Sequence, residues 1–212
     1  RTSFELVQST LDVSEARAEA ERCLQCSLLC DKCVEVCPNR ANLAYSCSPL
    51  AAILPLYQCQ QAKLSVVGEQ VVRIEQTRQI LHLADLCNEC GNCATFCVHD
   101  GKPYRDKPVL YLTESSFAAG TDGYCIDRDA GGLNITRRSG GRLARLTTLD
   151  EDRLGYENDY VRGSVRNSDL SVQQLELKQS FSGTLSLAEV VEMYTILSGV
   201  RSSLSFLPLG PA

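Results

Sequence analysis

Twelve cysteines are the residues of this sequence most able to do chemistry together. Five fall at Cys23, Cys26, Cys30, Cys33 and Cys37, and four at Cys87, Cys90, Cys93 and Cys97. Disulfide frameworks spread their cysteines to staple distant segments, whereas tight grouping favours metal. The second group reads Cys-x2-Cys-x2-Cys-x3-Cys. At that spacing three thiolates can take three corners of one iron–sulfur cube, with backbone N–H groups turned toward its sulfides. The fourth thiolate, three residues on, points toward a neighbouring cube. Gly91 permits the tight wrap.

The tail of the first group, Cys30-x2-Cys33-x3-Cys37-Pro38, repeats this pattern, with Cys26 as the first ligand after one inserted residue. Two such groups resemble the bacterial ferredoxins that hold two [4Fe–4S] clusters. Crossed ligation then gives one cluster to Cys26, Cys30, Cys33 and Cys97, and the other to Cys87, Cys90, Cys93 and Cys37. Spacing alone does not separate Cys23 from Cys26 as the first ligand; otherwise Cys23 reads as a buried thiol on a helix face. Val98 stands where proline usually follows the fourth cysteine, a departure that removes no ligand. Cys47, Cys59 and Cys125 have no partners at ligand spacing and read as structural thiols. Leu29, Val36, Leu86 and Phe96 are expected to shield the clusters from water.

Zinc is the alternative, giving a zinc-stabilised structural or interaction domain. Each group, however, carries at least as many cysteines as one zinc needs, and His82 and His99 are the only histidines. Cys26-x3-Cys30-x2-Cys33 also has radical-enzyme spacing, but Lys32 stands where an aromatic residue is usual and no repeated β/α pattern follows. A secreted disulfide module is the remaining reading.

A helix over Leu11–Cys26, opened by a capping box of Asp12 and Glu15, delivers the chain into the first group. Ala41–Tyr45 suits a short strand. Residues 48–78 read as an insertion, with a hairpin of Lys63–Val67 and Val71–Gln76 turning at Gly68. The apolar run Gln79–Leu86 enters the second group. From Val109 the pattern becomes β-like: Val109–Leu112, Tyr124–Asp127, Leu133–Arg138, Arg142–Thr148, Tyr160–Val165 and Val172–Lys178, broken by Gly-rich turns. A last helix is expected from Ser186 with Glu189 as its capping box, its apolar residues running from Leu187 to Val200. The expected fold is α+β: a ferredoxin-like dicluster domain over 1–107 with an inserted β-hairpin, then a small β-rich domain over 108–212 ending in one helix.

The net charge is −5, which argues against nucleic acid. Arg137, Arg138, Arg142 and Arg145 read as a solvated hairpin surface, and Lys102, Arg105 and Lys107 as a solvated turn. No apolar run reaches the ~18–20 residues of a membrane span, and no nucleotide phosphate cradle is signalled. No catalytic residue is identified; His82 reads as structural and His99 as a surface or outer-layer residue. Asn134-Ile135-Thr136 is a glycosylation sequon that an intracellular cluster protein has no use for.

Two stretches carry a more specific resemblance. Glu19-Ala20-Glu21-Arg22-Cys23-Leu24-Gln25-Cys26 is similar to the helix and first cysteines of the iron–sulfur domain in glutamate synthase small subunits and dihydropyrimidine dehydrogenase, whose two cysteines both ligate. The runs Cys30–Asn42, Gln79–Leu83, Cys87–Cys97 and Gly101–Lys107 resemble the C-terminal region of the "putative selenate reductase" subunits of the YgfK type, across roughly residues 11–112. That resemblance implies a mid-chain start at Arg1, FAD and NAD(P) bound only in an upstream region, and a cytoplasmic oxidoreductase. Its redox partners would include flavin- and molybdenum-containing domains or proteins.

Overall fold

The computed structural model describes residues 10–22 and 30–209. The chain divides into two compact units, 1–30 and 31–212. In the first, α1 (Val13–Glu21) forms where the sequence places it. Asp12 accepts from the Glu15 N–H at 2.8 Å and Glu15 accepts from the Asp12 N–H at 2.9 Å, completing the capping box. The helix closes with Arg22 as its C-cap; residues 23–26 of the expected helix, and Leu29, lie outside the described residues. None of the residues of α1 is buried.

The second unit begins with a one-turn helix, α2 (Lys32–Glu35), followed by β1 (Asn42–Ser46), β2 (Leu50–Gln60), β3 (Lys63–Ile74) and β4 (Arg78–Leu83). Two more short helices follow, α3 (Asn92–Thr95) and α4 (Pro103–Asp106), then β5 (Val109–Tyr111) and α5 (Glu114–Ala119). A run of strands comes next: β6 (Gly123–Asp129), β7 (Gly132–Ser139), β8 (Arg142–Thr148), β9 (Arg153–Asn158), β10 (Val161–Arg166) and β11 (Val172–Leu177). β12 (Thr184–Leu185) and α6 (Ala188–Ser203) end the described structure.

Nine strands form one mixed sheet in the order β1-β4-β5-β6-β7-β8-β9-β10-β11, and β12-β2-β3 form a second. β4, β5 and β6 run parallel, pairing His82 with Val109 and Leu110 with Tyr124. The boundary expected at 107/108 therefore falls between two paired strands. Leu81 and Leu83 share one apolar core with Leu110, Ile135, Leu146 and α6. The reason is burial: Ile80 to Leu83 are all inside, and a strand covered on both faces needs neighbours that only the later residues supply.

α6 lays Val190, Val191, Met193, Ile196, Leu197 and Val200 into that core. Gly199 sits so close to the Tyr45 ring that a Cβ there would come within 2.0 Å of it. The expected capping box at its start does not form: Leu187 is the N-cap. Ser186 Oγ instead accepts from the Ala188 N–H and donates to Gln70, while Glu189 is committed elsewhere. The inserted hairpin turns at Gln61-Ala62, both at positive φ (49° and 57°), and not at Gly68. Gly68 lies inside β3 opposite Leu56, where the pairing register shifts. The sequence reading also lacked β9 and α5.

The arginines read as a solvated hairpin are engaged. Arg137 donates to Glu189 at 2.8 Å, and Arg138 to the Phe117 and Gly120 carbonyls. Arg145 pairs with Asp127 in a two-pronged contact, and Arg142 lies over the Tyr160 ring. Three of the four heads find polar partners, while Arg142 stays exposed. Among the described residues no helix is long and apolar enough to cross a membrane.

Candidate metal centre

The two cysteine groups of the second unit are built on the same turn. α2 and α3 are single turns of helix that touch each other. In the first loop Val34 N–H bonds to the Asp31 carbonyl (2.8 Å), Val36 to Lys32 (3.0 Å) and Arg40 to Cys37 (3.3 Å). In the second loop Ala94 bonds to Gly91 (3.0 Å), Phe96 to Asn92 (3.1 Å) and Asp100 to Cys97 (3.3 Å). Arg40 and Asp100, each three residues past the last cysteine of its loop, both take a left-handed conformation (φ 55° and 53°). Each turn then aims an N–H at a sulfur: Ala41 to Cys37 Sγ at 3.2 Å, and Gly101 to Cys97 Sγ at 3.4 Å. Pro38 and Val98 occupy the same place in this repeat, so proline is not needed to shape it.

The repeat brings distant cysteines together. Cys37, Cys87, Cys90 and Cys93 line one cavity, with Asn39, Asn42, His82, Glu89 and Tyr104. These four are the quartet that crossed spacing assigns to one cluster. Cys33 and Cys93 are buried and pack with Ile80. Cys97 is not among the residues lining this cavity. Of the other quartet, Cys30 belongs to the first unit, and Cys26 lies outside the described residues, as does Cys23.

Burial pushes the Cys87 thiol up, against an N–H bond from Glu89 at 3.3 Å, and the neighbouring Cys37 and Cys93 push it the same way. Thiolates this near repel one another until a cation lies among them. Four sulfur donors with N–H groups on Cys37 and Cys87 suit an iron–sulfur cube in donor chemistry. The enclosed space is about 10 Å³, roughly one water's worth. Holding a cube therefore requires the 87–91 loop to move outward. Asn88, Glu89 and Cys90 in that loop are exposed, so such movement breaks little packing. Among the described residues no three His, Cys, Asp or Glu side chains are gathered as for a single metal ion.

Two lining residues went unmarked as site residues in the sequence. Asn42 donates to the Cys33 carbonyl at 2.9 Å and its Oδ1 meets His82 Nδ1 at 2.8 Å. Burial holds the His82 pKa down, partly offset by Glu89, so the buried ring is neutral near pH 7. Nδ1 then carries the proton that Asn42 accepts. The signal for Asn42 was its place just after the first loop, where it stitches β1 to α2. Leu86 and Phe96, expected to shield the clusters, are 42% and 55% exposed; Val36 does pack against Cys33, Ile80 and Cys93. His99 is exposed. Arg105 lies over Tyr104 and loosely meets Glu89 at 3.4 Å.

No family model matches the chain, and no solved structure matches it. Two curated relatives do. The protein named "Putative oxidoreductase YgfK" of Escherichia coli strain K12, and its counterpart of strain O157:H7, are each 39% identical over 115 residues. The match covers 54% of this chain and 9% of each relative's length.

Proposed function

We propose that this chain is the electron-transfer portion of a larger oxidoreductase, carrying two [4Fe–4S] clusters in a ferredoxin-like arrangement. The observation that carries the reading is the convergence of Cys37 with Cys87, Cys90 and Cys93. Two segments some fifty residues apart, built on one repeated turn, bring these four cysteines to the lining of one cavity. The similarity to a protein named as an oxidoreductase supports the redox role.

Cys37, Cys87, Cys90 and Cys93 would hold one cluster; Cys26, Cys30, Cys33 and Cys97 the other, with Cys23 in place of Cys26 as the open variant. When bound, each cluster supplies one-electron transfer. The chain's own groups set the conditions. Ala41 and Glu89 N–H groups drain charge from the Cys37 and Cys87 sulfurs and favour the reduced state. Buried Ile80, Cys33 and Cys93 keep water from one side, while the exposed Cys90 leaves another side open. Flavin, nicotinamide and molybdenum chemistry belong, on this reading, to other portions or partners of the complex.

Anaerobic purification followed by iron, sulfide and zinc analysis tests this. About eight irons per chain, brown colour and a paramagnetic signal on reduction are expected from two four-iron cubes. Zinc in place of iron, in colourless protein without a redox signal, would overturn it in favour of a zinc-stabilised module.

A further inference from the structure

A cavity of about 660 Å³ lies in the body of the second unit, walled by α6, by β7 and β8 of the large sheet and by β3. It shares no lining residue with the four-cysteine cavity. Its volume is that of a small-molecule site. Two of its polar groups have capacity to spare. Tyr45 is only 3% exposed and lines the cavity, yet its hydroxyl has no hydrogen-bond partner among the described residues. Burial first, then the charges of Cys47 and Glu192, push the phenol up, so it keeps its proton. It is a buried donor without an acceptor, and buried polar groups are ordinarily bonded.

Glu192, on the α6 wall, is the second such group. Arg137 and the Tyr156 hydroxyl occupy Glu189, whereas Arg137 reaches Glu192 only at 3.8 Å, and the Glu192 side chain is half-exposed. Glu192 is near enough to act on Tyr45, but the two do not bond to each other. A gap between an unmet O–H and a loosely paired carboxylate is bridged by a molecule carrying an acceptor beside a cation. Val72, Ile74 and Ile196 add an apolar wall. At the rim, Arg142 lies over the Tyr160 ring and has no carboxylate partner among the described residues.

We infer that this cavity binds a zwitterionic α-amino acid with a large apolar side chain. The ammonium meets Glu192. The carboxylate accepts from the Tyr45 hydroxyl and lies in the field of Arg142. The side chain rests on Val72, Ile74 and Ile196. The site is independent of the cysteine loops and of any metal they hold.

L-Phenylalanine is the probe, titrated into the full chain in a calorimeter, and one molecule per chain is expected to bind. Phenylpropanoate lacks the ammonium and phenethylamine lacks the carboxylate. Each should bind about tenfold more weakly or worse, since each forfeits a charge-assisted hydrogen bond. Tyr45→Phe should weaken L-phenylalanine and phenylpropanoate about tenfold and leave phenethylamine unchanged. Glu192→Gln should weaken L-phenylalanine and phenethylamine by a similar factor and leave phenylpropanoate unchanged. Glu192 is half-exposed, so its variant tests the site even if Tyr45→Phe disturbs the core. No binding of L-phenylalanine by the parent, or parental affinity in Glu192→Gln, overturns the assignment. An analogue that binds as tightly as L-phenylalanine overturns the zwitterion class. Iron, sulfide and zinc content are separate measurements, so failure here leaves the cluster reading standing.

Discussion

The cysteine loops and the sheet–helix body of the second unit are held together by different means. The body has a continuous apolar core running from Tyr45 and Leu81 through Ile135 and Leu146 to Met193 and Leu197 on α6. At the cysteine end the buried group is Cys33, Ile80 and Cys93, with Val34, Val36, Ala44 and Tyr104 partly covered beside it. Its helices are four residues each, too short to be stable on their own. Apolar burial fixes the body outright. The cysteine end keeps its shape through N–H bonds to sulfur and carbonyl and, on the proposed function, through iron. Metal sites of this kind couple binding to local folding.

The largest effect should therefore come from removing a buried thiol. Cys93→Ala takes one ligand from the Cys37, Cys87 and Cys90 set, and about half of the iron should be lost, because each cube needs four thiolates. Hydrogen exchange should rise across residues 84–107, while amides of β6 to β10 stay protected. Unchanged iron would remove Cys93 from the ligand set. Loss of protection throughout the sheet would erase the distinction between the two regions.

Ile135→Ala probes the other side. Ile135 is fully buried in the middle of β7. Truncation should cost about 2–5 kcal/mol, the usual range for an emptied core site. Urea titration followed by circular dichroism measures it. The loss should be the same with iron present or chelated, since the body does not draw its stability from the thiols.

The same contrast explains what was legible in the sequence. Cysteine spacing grouped Cys37 with Cys87, Cys90 and Cys93, and these four line one cavity, because the repeated turn is local and its spacing is visible in the sequence. It said nothing of Asn42 and His82, whose pairing depends on β1 lying against β4. Strand positions in the body were mostly readable from alternation, yet β9 was not: Gly155 and Asn158 dilute its pattern, and its pairing with β8 and β10 fixes it from outside. The hairpin turn was misplaced because Gly68 looked like a turn, while the residues taking positive φ are Gln61 and Ala62. The boundary at residue 107 failed to divide the sheet because composition changes there but burial does not. Glu189 looked like a capping residue; its carboxylate went to Arg137 and Tyr156 instead.

That last network gives a smaller test. Glu189 accepts from Arg137 and from the Tyr156 hydroxyl, and Arg137 in turn donates to Tyr124. Glu189→Leu leaves Arg137 with only Glu192 at 3.8 Å and the Tyr124 hydroxyl, and takes the acceptor from the buried Tyr156 hydroxyl proton, at a cost of about 1–3 kcal/mol. The double variant Glu189→Leu with Arg137→Met should recover part of that, since a half-buried ion pair can be replaced by apolar packing. Urea midpoints of the two singles and the double decide it. Additive losses would mean the pair is not coupled.

The smallest effect expected in the body is at its β6–β7 turn, where a carboxylate does for the backbone what the sulfurs do in the cysteine loops. Asp129 Oδ1 accepts from the Gly131 and Gly132 N–H groups at 2.7 and 3.2 Å, and Oδ2 accepts from Asn134 at 2.8 Å. The Asn134 bond first, then the Gly131 N–H, hold the Asp129 carboxyl below its ordinary value. A depressed folded-state pKa means the turn gains its support above the unfolded pKa, about 3.9 for aspartate, and loses it as pH falls through the lower folded value. The Gly131 and Gly132 amide shifts should therefore titrate together at a pH below 3.9, with the core of the sheet unchanged in the same spectra. In Asp129→Asn that titration should vanish. If the two amides instead moved at the ordinary aspartate pKa, the carboxylate would not be holding the turn, and this turn would drop out as the body's counterpart to the cysteine loops.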